Sequence, residues 1–169
     1  MAKAFLFVDS RVQAWQSLVL GADPDVEVVL LDADSDGIWQ IANALRGRSE
    51  VSSISIVSHG AEGAMLLGST LLDSSSLQTY APQLQEIGSA LSERGDILLY
   101  GCNIAGGPAG AQFLQQLSEL TGADGATFVL REGDRVRYVD EDGIAPLWKG
   151  QDFPIESCIS GWAMLHSET

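Results

Sequence analysis

Short hydrophobic runs alternate with amphipathic segments along the first three quarters of the chain. Four of these runs are rich in valine, isoleucine and leucine, which is typical of strands buried on both faces of a sheet. They lie at residues 4–8, 26–31, 51–57 and 96–100. The pattern therefore predicts four buried strands in this part of the chain.

Apolar residues at helical spacing lie between and after these runs and predict helices. The helices are predicted at residues 11–20, from Asp36 to Gly47, at 74–92 and from Gly106 to Gly122. Ser10 is the predicted N-cap of the first helix. Pro82 interrupts the third, so that stretch forms either two helices or one that starts near Ala81.

The remaining segments have the alternation of short strands. Two apolar pieces around Gly68 predict a β-hairpin at residues 64–72. Residues 126–130 and 135–139 predict two further strands around a turn. The tail after them is irregular, and its predicted anchors are Trp148, Phe153 and Trp162.

Alternating strands and helices predict an α/β fold, a three-layer α-β-α arrangement with a mainly parallel sheet. We expect residues 1–169 to form a single domain, with the α/β core at 1–125 and further strands and a tail at 126–169. In such sheets the binding site lies beyond the carboxyl ends of the strands. The side chains predicted at those ends are Asp9, Asp32, His59 and Cys102.

The charge of the chain restricts its partners. It has 23 acidic and 9 basic residues, a net charge of −14, which argues against nucleic acid or an anionic membrane as partner. It is compatible with a basic substrate, bound cations or a solvated acidic surface. No apolar run is long enough to span a bilayer, and the N-terminus is too short and too quickly charged for a signal peptide.

A histidine and a cysteine follow two of the predicted strands and form a candidate nucleophile–base pair. His59 lies in Ser-His-Gly after the third strand, and Cys102 lies in Gly-Cys-Asn after the fourth. A cysteine attacks as thiolate, and a nearby imidazole can take its proton. The backbone N–H groups of Gly60 and Cys102 are the candidate donors to an oxyanion. Cys158 has no such context and is predicted to pack in the interior.

Several segments, in the same order, resemble a bacterial family of domains of unknown function, DUF4347. They are FVDSRV, the D-x-D-x-D-G stretch, IVSHGAEGA, LLGSTLL and DILLYGCNIAGG, all within the first 125 residues. Members of that family typically lie near the start of very large secreted or surface adhesin-like proteins. The resemblance implies a secreted or cell-surface location if the chain is part of such a parent, and a cytoplasmic one otherwise.

The order of strand, Ser-His-Gly, strand and Gly-Cys is also similar to the caspase–legumain–gingipain superfamily, the caspase-like (clan CD) cysteine peptidases. His59 precedes Cys102 by 43 residues, against roughly 50 in caspases, and the caspase Gln-Ala-Cys-x-Gly signature is absent. The resemblance implies that His59 is the general base, Cys102 the nucleophile and Gly60 an oxyanion donor. The predicted activity is an endopeptidase, in one form self-processing of a larger surface protein; the alternative is a non-catalytic interaction module.

The resemblance also implies a substrate preference. A residue at the end of the first strand can line the pocket for the residue before the scissile bond, and Asp9 holds that position. A carboxylate there would favour Arg or Lys in a protein or peptide substrate. In the alternative interpretation, Asp9 caps the first helix or pairs with Arg11.

One motif indicates a possible metal site. Residues 32–37 spell D-x-D-x-D-G, the opening of a calcium loop, and would present the carboxylates of Asp32, Asp34 and Asp36. Asn43, however, stands where such loops have a bidentate glutamate. The alternative is a strand-to-helix loop in which aspartates cap the backbone. No other cofactor is predicted.

Overall fold

The computed structural model describes residues 4–101, 103–123, 126–132, 135–142 and 152–154. The helices in this part of the chain are α1 (Trp15–Gly21), α2 (Gly37–Leu45), α3 (Ala81–Ser89) and α4 (Gly107–Thr121). The strands are β1 (Ala4–Asp9), β2 (Val26–Leu31), β3 (Val51–Val57), β4 (Gly60–Ala61), β5 (Ala64–Leu67), β6 (Thr70–Asp73), β7 (Leu91–Tyr100), β8 (Ala126–Glu132), β9 (Arg135–Asp142) and β10 (Asp152–Pro154).

The main sheet has the strand order β10-β9-β8-β7-β3-β1-β2 within the described ranges. β2, β1, β3, β7 and β8 are parallel to one another. β9 is antiparallel to β8, and β10 is antiparallel to β9. The predicted mainly parallel sheet is therefore confirmed. Because β1 is central, its side chains after Ala4 are buried on both faces, which explains its continuous apolar run, whereas β3 contains three serines, of which Ser52 is exposed.

Helices cover both faces of the sheet, which confirms the predicted three-layer α/β fold. On one face, α2, α3 and α4 pack on the sheet around Phe5, Phe7 and Phe113. On the other face, α1 packs through Leu18 against Leu6 and other residues of a smaller cluster. No helix among the described residues combines the length and the apolar character needed to cross a membrane.

The first helix begins later than its hydrophobic spacing predicts. Residues 11–14 form turns, and α1 starts at Trp15 after Ala14, which has a left-handed backbone with φ 57°. Ser10 is not its cap. The turn follows Asp9 instead, whose side chain accepts the backbone N–H of Arg11 at 2.9 Å and whose carbonyl accepts that of Val12 at 3.0 Å.

The stretch predicted as helix at 74–92 is divided among three structures. A 3-10 turn at Leu77–Tyr80 leads into α3, which has Pro82 in its first turn. Residues 91 and 92 are the start of β7, because Leu91 pairs with Val51 of β3. The predicted helix at 74–92 was thus wrong at its end, where pairing with a neighbouring strand outweighs local helical spacing.

The predicted hairpin is confirmed as part of a small separate sheet. β4, β5 and β6 form it, with Leu67 paired to Thr70 across the Gly68–Ser69 tip. Gly68 has φ +56°, and a Cβ there would overlap the carbonyl oxygen of Ser35. Only glycine therefore lets this tip sit so close to the loop after β2.

Candidate functional site

The ends of β3 and β7 lie side by side. Val57 and Tyr100 are paired in register, and the N–H of Ser58 donates to the carbonyl oxygen of Tyr100 at 3.0 Å. His59 is the second residue after Val57 in the sequence, and Cys102 is the second after Tyr100. Cys102 lies outside the described residues, so the site is built from its sequence neighbours Gly101 and Asn103.

Gly101 brings the chain before Cys102 into close contact with the chain around His59. A Cβ at Gly101 would lie 2.9 Å from the carbonyl oxygen of Ser58 and 3.3 Å from the nitrogen of Gly60. The first of these distances is shorter than real Cβ contacts, so glycine is required by space. The predicted oxyanion donor Gly60 is therefore adjacent to the residue that precedes Cys102.

The direction of the Gly60 N–H follows from the hairpin ladder. Leu66 donates its N–H to the carbonyl oxygen of His59 at 2.9 Å, and Gly60 is paired with Met65. In an antiparallel ladder, bonded and non-bonded pairs alternate. The N–H of Gly60 therefore points away from β5, and its nitrogen lies 3.3 Å from the position of a Cβ built at Gly101.

The imidazole of His59 is held by a backbone carbonyl. Its Nε2 lies 3.2 Å from the carbonyl oxygen of Arg11, in the turn after β1. Because a carbonyl oxygen only accepts, we assign the hydrogen to Nε2, and Nδ1 of the neutral ring is then the proton acceptor. The residue is half-buried. The ring is thus oriented through its Nε2, and within the described ranges Nδ1 has no hydrogen-bond partner.

Asp9 is fully buried and bonded within the protein. One oxygen accepts the N–H of Arg11 at 2.9 Å and the other accepts the N–H of Gly68 at 2.7 Å. The guanidinium of Arg11 lies 3.6 Å from the second oxygen. The structure thus shows the pairing with Arg11 that the sequence left as an alternative, and the role of Asp9 in substrate preference stays a prediction.

The loop after Cys102 leads directly into α4. Asn103 has a left-handed backbone with φ 56°, and its carbonyl oxygen accepts the N–H of Gly106, the N-cap residue of α4, at 3.0 Å. The N–H of Gly63, in the turn between β4 and β5, donates to the carbonyl oxygen of Ile104 at 3.0 Å. The two loops that carry the His–Gly and Gly–Cys motifs are therefore tied together by backbone bonds.

The aspartates of the D-x-D-x-D-G motif are not gathered around a common centre. Asp32 accepts the N–H of Asp34 at 3.0 Å and the hydroxyl of Ser35 at 3.0 Å. Asp36 accepts the N–H of Trp39 at 3.0 Å, which caps α2, and the phenol of Tyr80. Within the described ranges, no group of three or more His, Cys, Asp and Glu side chains is placed to hold a metal ion.

Arg11 and Ser58 make contacts at this site that the sequence did not predict. Arg11 holds His59 through its carbonyl oxygen, and its guanidinium donates to Gly68 at the hairpin tip. Ser58 is buried and donates its hydroxyl to the carbonyl oxygen of Leu66. The Asp-x-Arg order after β1 indicates that Arg11 can pair with Asp9. The contact of the Arg11 carbonyl oxygen with His59 depends instead on how two loops pack.

Comparisons with known proteins show the family and little else. A family model described as a domain of unknown function, DUF4347, matches residues 5–135. Comparison with curated proteins found no match. A solved short chain dehydrogenase family protein from Francisella tularensis subsp. tularensis SCHU S4 is similar at 10% identity, over 69% of this chain and 59% of that one, with a TM-score of 0.31. This chain thus spans less than two thirds of the dehydrogenase. At that TM-score we infer neither a fold nor a function from the similarity. The similarity to caspase-like peptidases stays a prediction from the motifs.

Proposed function

Since the chain belongs to the DUF4347 family, whose function is unknown, we propose its activity from its own residues: it is a cysteine endopeptidase that acts through Cys102 and His59. The observation that carries the proposal is the imidazole of His59, which follows β3 and is bonded through Nε2 to the carbonyl oxygen of Arg11 in the turn after β1. β3 is the neighbour of β7, and Cys102 follows β7 after Gly101. The available Nδ1 is the base that a cysteine nucleophile requires.

The proposed reaction uses these groups in sequence. The sulfur of Cys102 attacks the carbonyl carbon of the scissile peptide while its proton passes to Nδ1 of His59. The resulting oxyanion accepts hydrogen bonds from the N–H groups of Gly60 and Cys102. Collapse breaks the C–N bond, and the amine leaves with the proton from His59. Water then hydrolyses the thioester, releasing the acid and restoring the thiol.

The substrate we propose is a protein or peptide with Arg or Lys before the scissile bond. The net charge of −14 supports this, because a strongly acidic molecule attracts cationic chains. Direct recognition by Asp9 would require its carboxylate to give up bonds to Gly68 and Arg11. Self-processing of a larger parent protein is one form that the activity would take.

A thiol-directed peptide electrophile tests the proposal. A probe with Arg at the scissile position is incubated with the protein, and mass spectrometry measures labelling of Cys102 and Cys158 separately. We expect Cys102 to react faster and its rate to fall in His59→Ala by about 100-fold or more, as for loss of a general base. His166→Ala is the matched control and keeps the rate. Probes with Lys, Ala or Glu at the same position measure the substrate preference.

The result also separates the enzyme from the non-catalytic alternative. Equal labelling of Cys102 and Cys158 that does not respond to His59→Ala would reject the peptidase. In that case the alternative, a non-catalytic interaction module, would be favoured. A fast, His59-dependent reaction at Cys102 without preference for a basic residue would retain the peptidase and reject only the proposed specificity.

A further inference from the structure

We propose that Arg11 is a positioning residue for His59 and that it acts by docking the tip of the β5–β6 hairpin onto the turn after β1. We call the set Asp9, Arg11 and Gly68 the hairpin latch. The consequence for catalysis rests on the function proposed above; the consequence for the position of the imidazole does not. Neither Arg11 nor the hairpin tip touches the reacting atoms in this proposal.

The guanidinium of Arg11 joins three separate loops. Nη1 donates to the carbonyl oxygen of Gly68 at 2.6 Å, and Nη2 donates to the carbonyl oxygen of Ala33 in the loop after β2 at 2.5 Å. Nη1 also lies 3.6 Å from the buried carboxylate of Asp9. A planar guanidinium can serve two acceptors and a carboxylate together, whereas a lysine ammonium is a single point of charge.

The backbone of Arg11 is fixed by the same latch. Its N–H donates to one oxygen of Asp9 at 2.9 Å, and the other oxygen accepts the N–H of Gly68 at 2.7 Å. With the N–H and the side chain of Arg11 both held, the direction of its carbonyl is held as well. That carbonyl is the acceptor for Nε2 of His59 at 3.2 Å.

The hairpin is connected to His59 a second time. The N–H of Leu66 on β5 donates to the carbonyl oxygen of His59 at 2.9 Å. The backbone of His59 is therefore held by one strand of the hairpin, and its ring is held through Arg11 by the tip. When the tip undocks, we expect the ring to lose its fixed orientation while β3 remains paired with β1 and β7.

A double-mutant cycle tests whether Arg11 acts through His59. The alkylation rate of Cys102 is measured for the wild type, Arg11→Ala, His59→Ala and the double variant. We expect Arg11→Ala to lower the rate on the order of 100-fold, the effect of misplacing a catalytic group by about 1 Å. In the His59→Ala background the same substitution should have no further effect. Arg46→Ala, which removes one exposed ion pair, is the control.

A spectroscopic readout measures the ring without reference to catalysis. In the wild type, nuclear Overhauser contacts should join the ring protons of His59 to backbone protons of Arg11 and Val12. Arg11→Ala should lose them while its amide spectrum shows a retained fold. Arg11→Lys serves the same purpose if the alanine variant does not fold, and we expect it to restore neither the contacts nor the rate.

The outcomes are distinguishable. Unchanged ring contacts in Arg11→Ala, or an equal rate loss with and without His59, would overturn the positioning role. Lost contacts together with a rate loss only in the presence of His59 would support it. If His59→Ala by itself leaves the rate of Cys102 unchanged, the proposed function fails, and the ring contacts alone decide the role of Arg11.

Discussion

Asp9 and His59 both follow a buried strand, yet their side chains meet different surroundings. The carboxylate of Asp9 has no exposed surface and accepts two backbone N–H groups beside a guanidinium. The ring of His59 is half-buried and has one nitrogen bonded to a carbonyl. At the scale of single residues, burial and complete bonding indicate a structural role for Asp9, and the partial exposure of His59 is compatible with the catalytic role proposed for it.

Replacing Asp9 should therefore destabilise the fold. In Asp9→Ala the N–H of Gly68 loses its buried acceptor, and we expect the free energy of unfolding to fall by about 1–3 kcal/mol. Urea denaturation measures the change. Asp34→Ala, at an exposed position of the loop after β2, is the control and should change it by less than about 0.5 kcal/mol. An equally small effect of Asp9→Ala would contradict the structural role.

Asp32 gives a prediction for the acid range. A hydrogen bond from the backbone N–H of Asp34, together with the hydroxyl of Ser35, holds the pKa of the Asp32 carboxyl below its ordinary value. The ionised Asp32 carboxylate therefore stabilises the fold fully above its unfolded pKa of about 3.9. This stabilisation is lost as the pH falls through the lower pKa of the folded protein. A carbon-13 titration should show the lowered pKa, and Ser35→Ala should raise it. Ser17→Ala, on the exposed side of α1, is the control; a Ser35→Ala titration identical to the wild type would exclude the hydroxyl as a cause.

The β5–β6 hairpin is the element that connects the separate loops at this end of the sheet. Its tip contacts the turn after β1 through Asp9 and Arg11. It also meets the loop after β2, where the N–H of Ser69 donates to the carbonyl oxygen of Ser35 at 2.9 Å. A small sheet of three short strands would be marginal by itself. Docking onto the main sheet is therefore what we expect to order it.

Gly68 and Gly47 provide a matched test of that docking. Both have positive φ, +56° and +73°, but a Cβ at Gly68 would overlap Ser35 whereas one at Gly47 would meet nothing within 4 Å. Gly47→Ala should lower the free energy of unfolding only by about 1–2 kcal/mol, the cost of a left-handed backbone in a residue that has a Cβ. Gly68→Ala should cost more, because the tip must also move away from the loop after β2. Urea unfolding of both variants gives the comparison, and equal losses would show that the packing of the tip contributes nothing.

At the scale of the whole molecule, the dominant electrostatic feature is the excess of acidic residues. The net charge is −14, and the two exposed ion pairs in the described ranges, Arg46 with Glu86 and Arg48 with Glu27, offset it only locally. Exposed pairs of this kind are worth little. Repulsion among the remaining carboxylates therefore opposes the compact state.

Salt should therefore stabilise this protein. Raising sodium chloride from about 10 mM to about 500 mM shortens the screening length several-fold, and we expect the melting temperature to rise. A fall in the melting temperature would mean that the ion pairs outweigh the repulsion.

At equal ionic strength we expect calcium and magnesium to change the melting temperature alike, because Asp32 and Asp36 already bond to their own loop and to α2. A calcium-specific rise that is lost in Asp32→Asn would instead support the predicted calcium site.

Much of the fold could be predicted because its signals are local. The run of β1 is apolar since both faces of this central strand are covered, and α2 carries its apolar stripe and its Asp36 cap within a few residues. The end of α4 is equally local, because Gly122 adopts φ +65° there. The start of β7 was predicted incorrectly because it depends on pairing with Val51, which is distant in the sequence. The start of α1 was predicted incorrectly because Asp9, only two residues before Arg11, directs a turn that the hydrophobic spacing does not reveal.

The sequence by itself determined the order of strands and helices and the placement of His59 and Cys102 after two strands, because hydrophobic periodicity and strand ends can be recognised from a few neighbouring residues. Only the tertiary structure decided that those two strands are neighbours, that Asp9 is buried against Arg11, and that the carbonyl of Arg11 holds His59. The contact between the ring of His59 and Arg11 joins residues 48 positions apart, and the contact that buries Asp9 against Gly68 joins residues 59 positions apart. They arise from the packing of loops and use backbone N–H and C=O groups. Because almost every residue has these groups, the sequence does not show which of them will pair.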